Sequence, residues 1–96
     1  LRARARDLVR NDPLARSAVS TKVVHVVGPG HVLRPEIEAA RVGLTEAAAE
    51  AWEEAALAIW TEWARGKDCD ATREQTFAEL EDLVYRSRVQ SGDVFA

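Results

Sequence analysis

The sequence predicts a mainly α-helical chain, with helices packed around a small core and one or two short extended segments. Three observations predict it. Apolar residues recur at helical spacing in several windows. Capping residues stand just before those windows, and glycine or proline stands just after them.

The first element is an arginine-rich helix over 2–10. Arg2, Arg6 and Arg10 fall four apart and share one helical face. Asp12 is a good N-cap and Pro13 a good first helical residue, so a second helix restarts at once, over 13–27. Its far end admits two readings. Val23-Val24-His25-Val26-Val27 is β-branched and continuous, which suits a buried strand. Leu14, Ala18, Val19, Val23, Val26 and Val27 also form one helical stripe, and helix is the preferred reading. Gly28-Pro29-Gly30 ends it. Residues 28–44 read as a linker or edge strand, with His31 to Arg34 extended ahead of Pro35.

Thr45 caps an acidic helix over 45–66, with Glu46 at the positive end of its dipole. Its apolar stripe is Trp52, Ala56, Ile59, Trp60 and Trp63. Gly66 is expected to stop it in the left-handed conformation. A polar loop follows. The last helix, over 76–91, starts at one of two capping boxes: Thr72 with Gln75, or Thr76 with Glu79. The predicted core is Trp52, Ile59, Trp60, Trp63, Phe77, Leu80 and Val84. Residues 92–96, Ser91-Gly92 having ended the helix, read as the start of a strand. A strand needs a partner, so the expectation is that 1–96 is one fragment of a larger domain. The chain has no methionine, not even at Leu1, which points the same way.

Composition narrows the function classes. Ninety-six residues allow one domain at most, and much of the apolar content is alanine, so the core is small. No apolar run approaches the roughly 20 residues of a membrane span. The single cysteine, Cys69, excludes an internal disulfide framework and fits a reducing compartment. Charge is unevenly placed. Residues 1–34 carry seven basic side chains against two acidic, and residues 35–96 carry six against fourteen. That asymmetry suits head-to-tail contact between copies, contact of the basic part with nucleic acid, or neutralisation within one fold.

No catalytic constellation is visible. His25, His31, Asp68, Cys69 and Asp70 lack metal-ligand spacing. A Cys69/His25 pair lacks an orienting third group. Gly28-Pro29-Gly30 follows no clear strand and has no lysine, so it is not a phosphate loop. No catalytic, cofactor-binding or metal residue is assigned. Arg2, Arg6, Arg10 and Arg16 are the candidate contacts to another subunit or to nucleic acid; the plainer reading is a solvated face paired locally with Asp7 and Asp12. The three tryptophans sit among glutamates, which suits core better than a stacking platform for single strands.

Several weak motifs stand in one order. They are Arg4-Ala5-Arg6-Asp7-Leu8-Val9-Arg10-Asn11, Val26-Val27-Gly28-Pro29-Gly30, Leu44-Thr45 opening an acidic helix, and Trp60-Thr61-Glu62-Trp63-Ala64. Then come Asp68-Cys69-Asp70, Thr76-Phe77-Ala78-Glu79-Leu80 and Ser91-Gly92-Asp93-Val94-Phe95. The series resembles the N-terminal region of the lambda-type portal proteins of tailed bacteriophages, over nearly the whole chain. The resemblance implies an incomplete part of a larger α+β wing domain. It implies a structural component of the portal ring at the capsid vertex, the channel for DNA packaging and ejection and the platform for head–tail assembly. Implied partners are other portal subunits, capsid and terminase proteins, with DNA passing through the full ring; no membrane, cofactor or small-molecule substrate is implied. The implied location is the virion, and the bacterial cytoplasm during assembly. Two departures stand out. Pro29 separates the two glycines of the turn, and Thr72-Arg73-Glu74-Gln75 stands where many relatives place a glycine before the last helix. The alternatives are a free-standing helical adaptor that binds nucleic acid through its N-terminal arginines, and, less well supported, a small enzyme.

Overall fold

A computed structural model describes residues 1–95 and contains five helices: α1 (Arg2–Asn11), α2 (Pro13–Val26), α3 (Ala39–Val42), α4 (Glu46–Arg65) and α5 (Phe77–Ser91). Among the described residues there is no strand. Residues 28–38 and Asp93 to Phe95 form no ladder: of the two readings for residues 28–44, linker or edge strand, no strand is formed, and the strand start expected over 92–96 is not formed among its described residues, Ala96 lying outside them. A lone extended segment leaves its backbone groups to water unless a second strand pairs with it.

The chain divides into two compact units where the sequence suggested one fragment. The first comprises Leu1–His31 and the residues from Phe77 on. Here α1, α2 and α5 pack pairwise on one another. Its core is a single valine stripe, Val19 and Val23 on α2 and Val27 at its C-cap, with Val9, Tyr85 and Val89 packed against it. The spacing of four keeps the three valines on one face, while Val24, His25 and Val26 face solvent. The β-branched run is therefore helix. Asp12 caps α2 as its side chain accepts the Leu14 N–H at 2.9 Å.

The turn after α2 is pinned to α5. Glu81 accepts the His31 backbone N–H at 3.0 Å through Oε2, and its Oε1 meets His31 Nδ1. Gly30 sits directly over Ala78 with φ of +99°. The sequence motif Gly28-Pro29-Gly30 is thus a close-approach turn.

The second unit spans Val32–Thr76, in which the short helix α3 packs on α4. Its buried residues are two alanines, Ala39 and Ala49, and side chains this small let two helices approach closely. The α3 turn ends in a left-handed Gly43, and the Leu44 N–H reaches back to the Ala39 carbonyl at 2.9 Å, a Schellman closure. Thr45 Oγ1 caps α4 by accepting the Ala48 N–H at 3.2 Å. Glu53 reaches from α4 to accept the Ile37 N–H at 2.6 Å.

Gly66 corrects one expectation. Its φ is −76°, so α4 is not stopped by a left-handed residue. The Gly66 N–H instead closes on the Glu62 carbonyl at 3.0 Å, and a Cβ would stand only 3.1 Å from that oxygen. Of the two capping boxes, α5 begins directly after Thr76. Thr72 serves the preceding loop: its N–H and hydroxyl both donate to Asp70.

Candidate functional site

The predicted core needs a larger correction. Trp52 is 62 % exposed and Ile59 70 % exposed, and Trp63 and Val84 also lie in the exposed class. Trp60, Phe77 and Leu80 are half-buried. The buried side chains are Val19, Val23, Val27, Ala39 and Ala49. The physical reason is that a periodic stripe declares an apolar face, and a face is buried only when a second surface covers it. In the second unit α3, a single turn, packs on α4, and Ala49 is the one residue of α4 that is buried.

That face of α4 is a groove of about 580 Å³ lined by Leu33, Trp52, Ala55, Ala56, Ile59, Trp60 and Trp63. The Trp60 and Trp63 rings lie 5.2 Å apart and tilted by 43°, an arrangement aromatic pairs favour. A contiguous apolar surface of this kind marks an interaction site. The helix that bears it is acidic: Glu46, Glu50, Glu53, Glu54 and Glu62 stand against Arg65. The groove therefore offers indole faces within a field that attracts cations and repels phosphate.

The arginines divide. Arg16 turns back from α2 onto the end of α1, donating from Nε to the Val9 carbonyl at 3.3 Å and from its terminal nitrogen to the Arg10 carbonyl. It satisfies carbonyls that the end of a helix leaves without intrahelical donors. Arg6 reaches Ser91 Oγ on α5 at 3.4 Å. Arg2 and Arg10 are exposed. Local pairing with the two aspartates is not what the structure shows: Asp7 accepts from Asn11 Nδ2 at 2.7 Å, and Asp12 caps α2. Arg4, which sequence reasoning did not single out, is exposed one turn before Leu8, itself 54 % exposed. The spacing of four between them was the available signal.

The Asp68-Cys69-Asp70 loop is a folding node. Asp70 accepts four hydrogen bonds: the Thr72 hydroxyl at 2.7 Å and N–H at 3.2 Å, and the Glu74 and Gln75 N–H groups at 3.1 Å each. The Thr72 hydroxyl first, then these backbone donors, hold its carboxyl below the ordinary value of 3.8. The half-buried Cys69 thiol points at the Gly66 and Gln75 carbonyls. Among the described residues, no group of three His, Cys, Asp or Glu side chains could hold a metal ion. No helix among them is long and apolar enough to cross a membrane.

No solved structure matches the chain. The family model for phage portal proteins of the lambda family matches residues 1–96, the whole sequence. With its order of motifs and its helical architecture, the chain belongs to the lambda family of phage portal proteins, a structural family of the phage particle.

Proposed function

We propose that this chain is outer-wing scaffold of a portal ring at the capsid vertex, the channel through which DNA is packaged and ejected and on which head and tail assemble. Its contribution is protein–protein contact with other portal subunits and with capsid. Terminase meets the assembled ring, and DNA passes through it. The chain performs no chemistry of its own. The observation that carries this reading is the exposure of Trp52 and Ile59 on the apolar face of α4 in a chain of the portal family. Large apolar side chains exposed side by side mark a surface that meets another molecule.

The adaptor alternative is the second reading: Arg6 and Arg16 donate hydrogen bonds within the chain, which leaves it Arg2, Arg4 and Arg10 on α1, all exposed.

The test is electron microscopy of the complete gene product with a compact protein label inserted at Gly43, where an added Cβ would meet open space. Rings with added density on the outer rim are expected. Density lining the channel, or gene product that never forms rings, would overturn the reading.

A further inference from the structure

We propose that the groove on α4 receives the basic helix α1 of a second copy of this chain. The inference rests on the subunit-contact reading above and names the two surfaces involved.

Charge selects the occupant. α4 carries five glutamates against one arginine, and α1 carries four arginines against Asp7. Opposed fields of this kind steer two copies together and disfavour either helix meeting its own equivalent. The acidic faces of α4 beside the groove also disfavour a phosphate backbone as occupant.

Side chains complete the match. α1 buries none of its residues. Arg4 and Leu8 lie one turn apart on a solvent face. Leu8 is the apolar anchor, of a size to enter between Trp52, Ile59 and Trp63. Arg4 beside it can lay its guanidinium on an indole, which lowers the cost of bringing the charge to an apolar groove. Glu62, one turn from Ile59, borders the same face.

The contact is heterologous. Donor and acceptor are different surfaces of one chain and belong to different compact units. A contact between unlike surfaces is of the head-to-tail type.

The test uses the whole chain and two readouts. Sedimentation velocity over about 1 µM to 1 mM reads self-association. Tryptophan emission reads the groove, because Trp52, Trp60 and Trp63 are the chain's three tryptophans and all line it. Association accompanied by a blue shift, and weakened about tenfold by raising salt from a Debye length of about 10 Å to about 3 Å, is expected. Leu8→Asp and Ile59→Asp, both at exposed positions, should each abolish association with unchanged circular dichroism. An equimolar mixture of the two should form a heterodimer, since one supplies an intact helix and the other an intact groove. Arg4→Glu, which leaves the apolar surface intact, should weaken association about tenfold.

No association of the unaltered chain up to about 1 mM would overturn the proposal. So would wild-type association and blue shift in Leu8→Asp and Arg4→Glu, which would mean that another segment fills the groove. Either result leaves the labelled-ring experiment free to succeed, so the two readings fail separately.

Discussion

Gly30 lies against Ala78 so closely that no side chain fits there. A Cβ at residue 30 would stand 2.7 Å from the Ala78 Cβ and 3.3 Å from its Cα. The φ of +99° is also one that L-residues avoid. Gly30→Ala is therefore expected to destabilise the first unit by about 2–4 kcal/mol, combining backbone strain with overpacking. Adding Ala78→Gly should recover part of the loss, because it removes the nearest atom but not the strain. Urea unfolding of the two single variants and the double variant measures this coupling. An unchanged midpoint in Gly30→Ala would contradict the close approach.

Arg16 closes the α1–α2 junction by donating to the Val9 and Arg10 carbonyls. Arg16→Ala should cost about 0.5–1.5 kcal/mol, the ordinary net value of such hydrogen bonds. Arg2→Ala, at an exposed position on the same helix face as Arg6, should stay within about 0.5 kcal/mol of the parent. Equal effects in thermal melts would show that Arg16 acts only as a surface charge.

Arg73 holds a φ of +55°, the one positive value outside the glycines among the described residues. It lies in the stretch where the family resemblance leads one to expect glycine. The Asp70 loop fixes this geometry, with the Arg73 N–H on the Asp70 carbonyl at 3.0 Å. Arg73→Gly should raise stability by about 0.5–1 kcal/mol. The relief of left-handed strain, about 1–2 kcal/mol, exceeds the added freedom of the unfolded chain. The reading is a higher denaturant midpoint at unchanged slope; a lower midpoint would locate the strain elsewhere.

Asp70 sets an acid limit on the same loop. Its carboxyl is held below 3.8 in the folded chain, so the unfolded chain binds the proton first as pH falls. The contribution of Asp70 is complete above the ordinary value of 3.8 and is lost as pH drops through the lowered one. Asp70→Asn should be less stable than the parent at neutral pH and should show a flatter stability profile below about pH 4. Parallel profiles for the two proteins would remove Asp70 as the cause.

Local chemistry made most helix starts legible. Asp12-Pro13, Thr45 and Thr76 each stand where a helix begins, because capping is settled within a few residues. The Val23 run was ambiguous by composition and resolved by its period. Helix α3 escaped because four residues are too few to show a period, although Ala39-Ala40-Arg41-Val42 followed by Gly43 carried the Schellman signature. The core was misplaced onto α4 because spacing reveals an apolar face without revealing its cover. Arg16 reads from sequence as a member of a charged stripe, and only the chain reversal at Asp12 brings it back onto the Val9 carbonyl.

The two ends of the tryptophan face should respond differently to truncation. Trp60 is half-buried and stacked beside Trp63 at 5.2 Å, whereas Trp52 is 62 % exposed. Trp60→Ala is expected to cost about 1.5–3 kcal/mol, the transfer value for a large apolar side chain. That is less than the 3–5 kcal/mol or so lost when a fully buried tryptophan leaves a cavity. Trp52→Ala should leave stability of the dilute chain within about 0.5 kcal/mol. Chemical denaturation at low micromolar concentration makes the comparison without interference from association. If Trp52→Ala unfolds the dilute chain as strongly as Trp60→Ala, the groove is a core element of the single chain. If it leaves the dilute chain intact but suppresses self-association at high concentration, Trp52 belongs to the surface between copies, the outcome its exposure predicts.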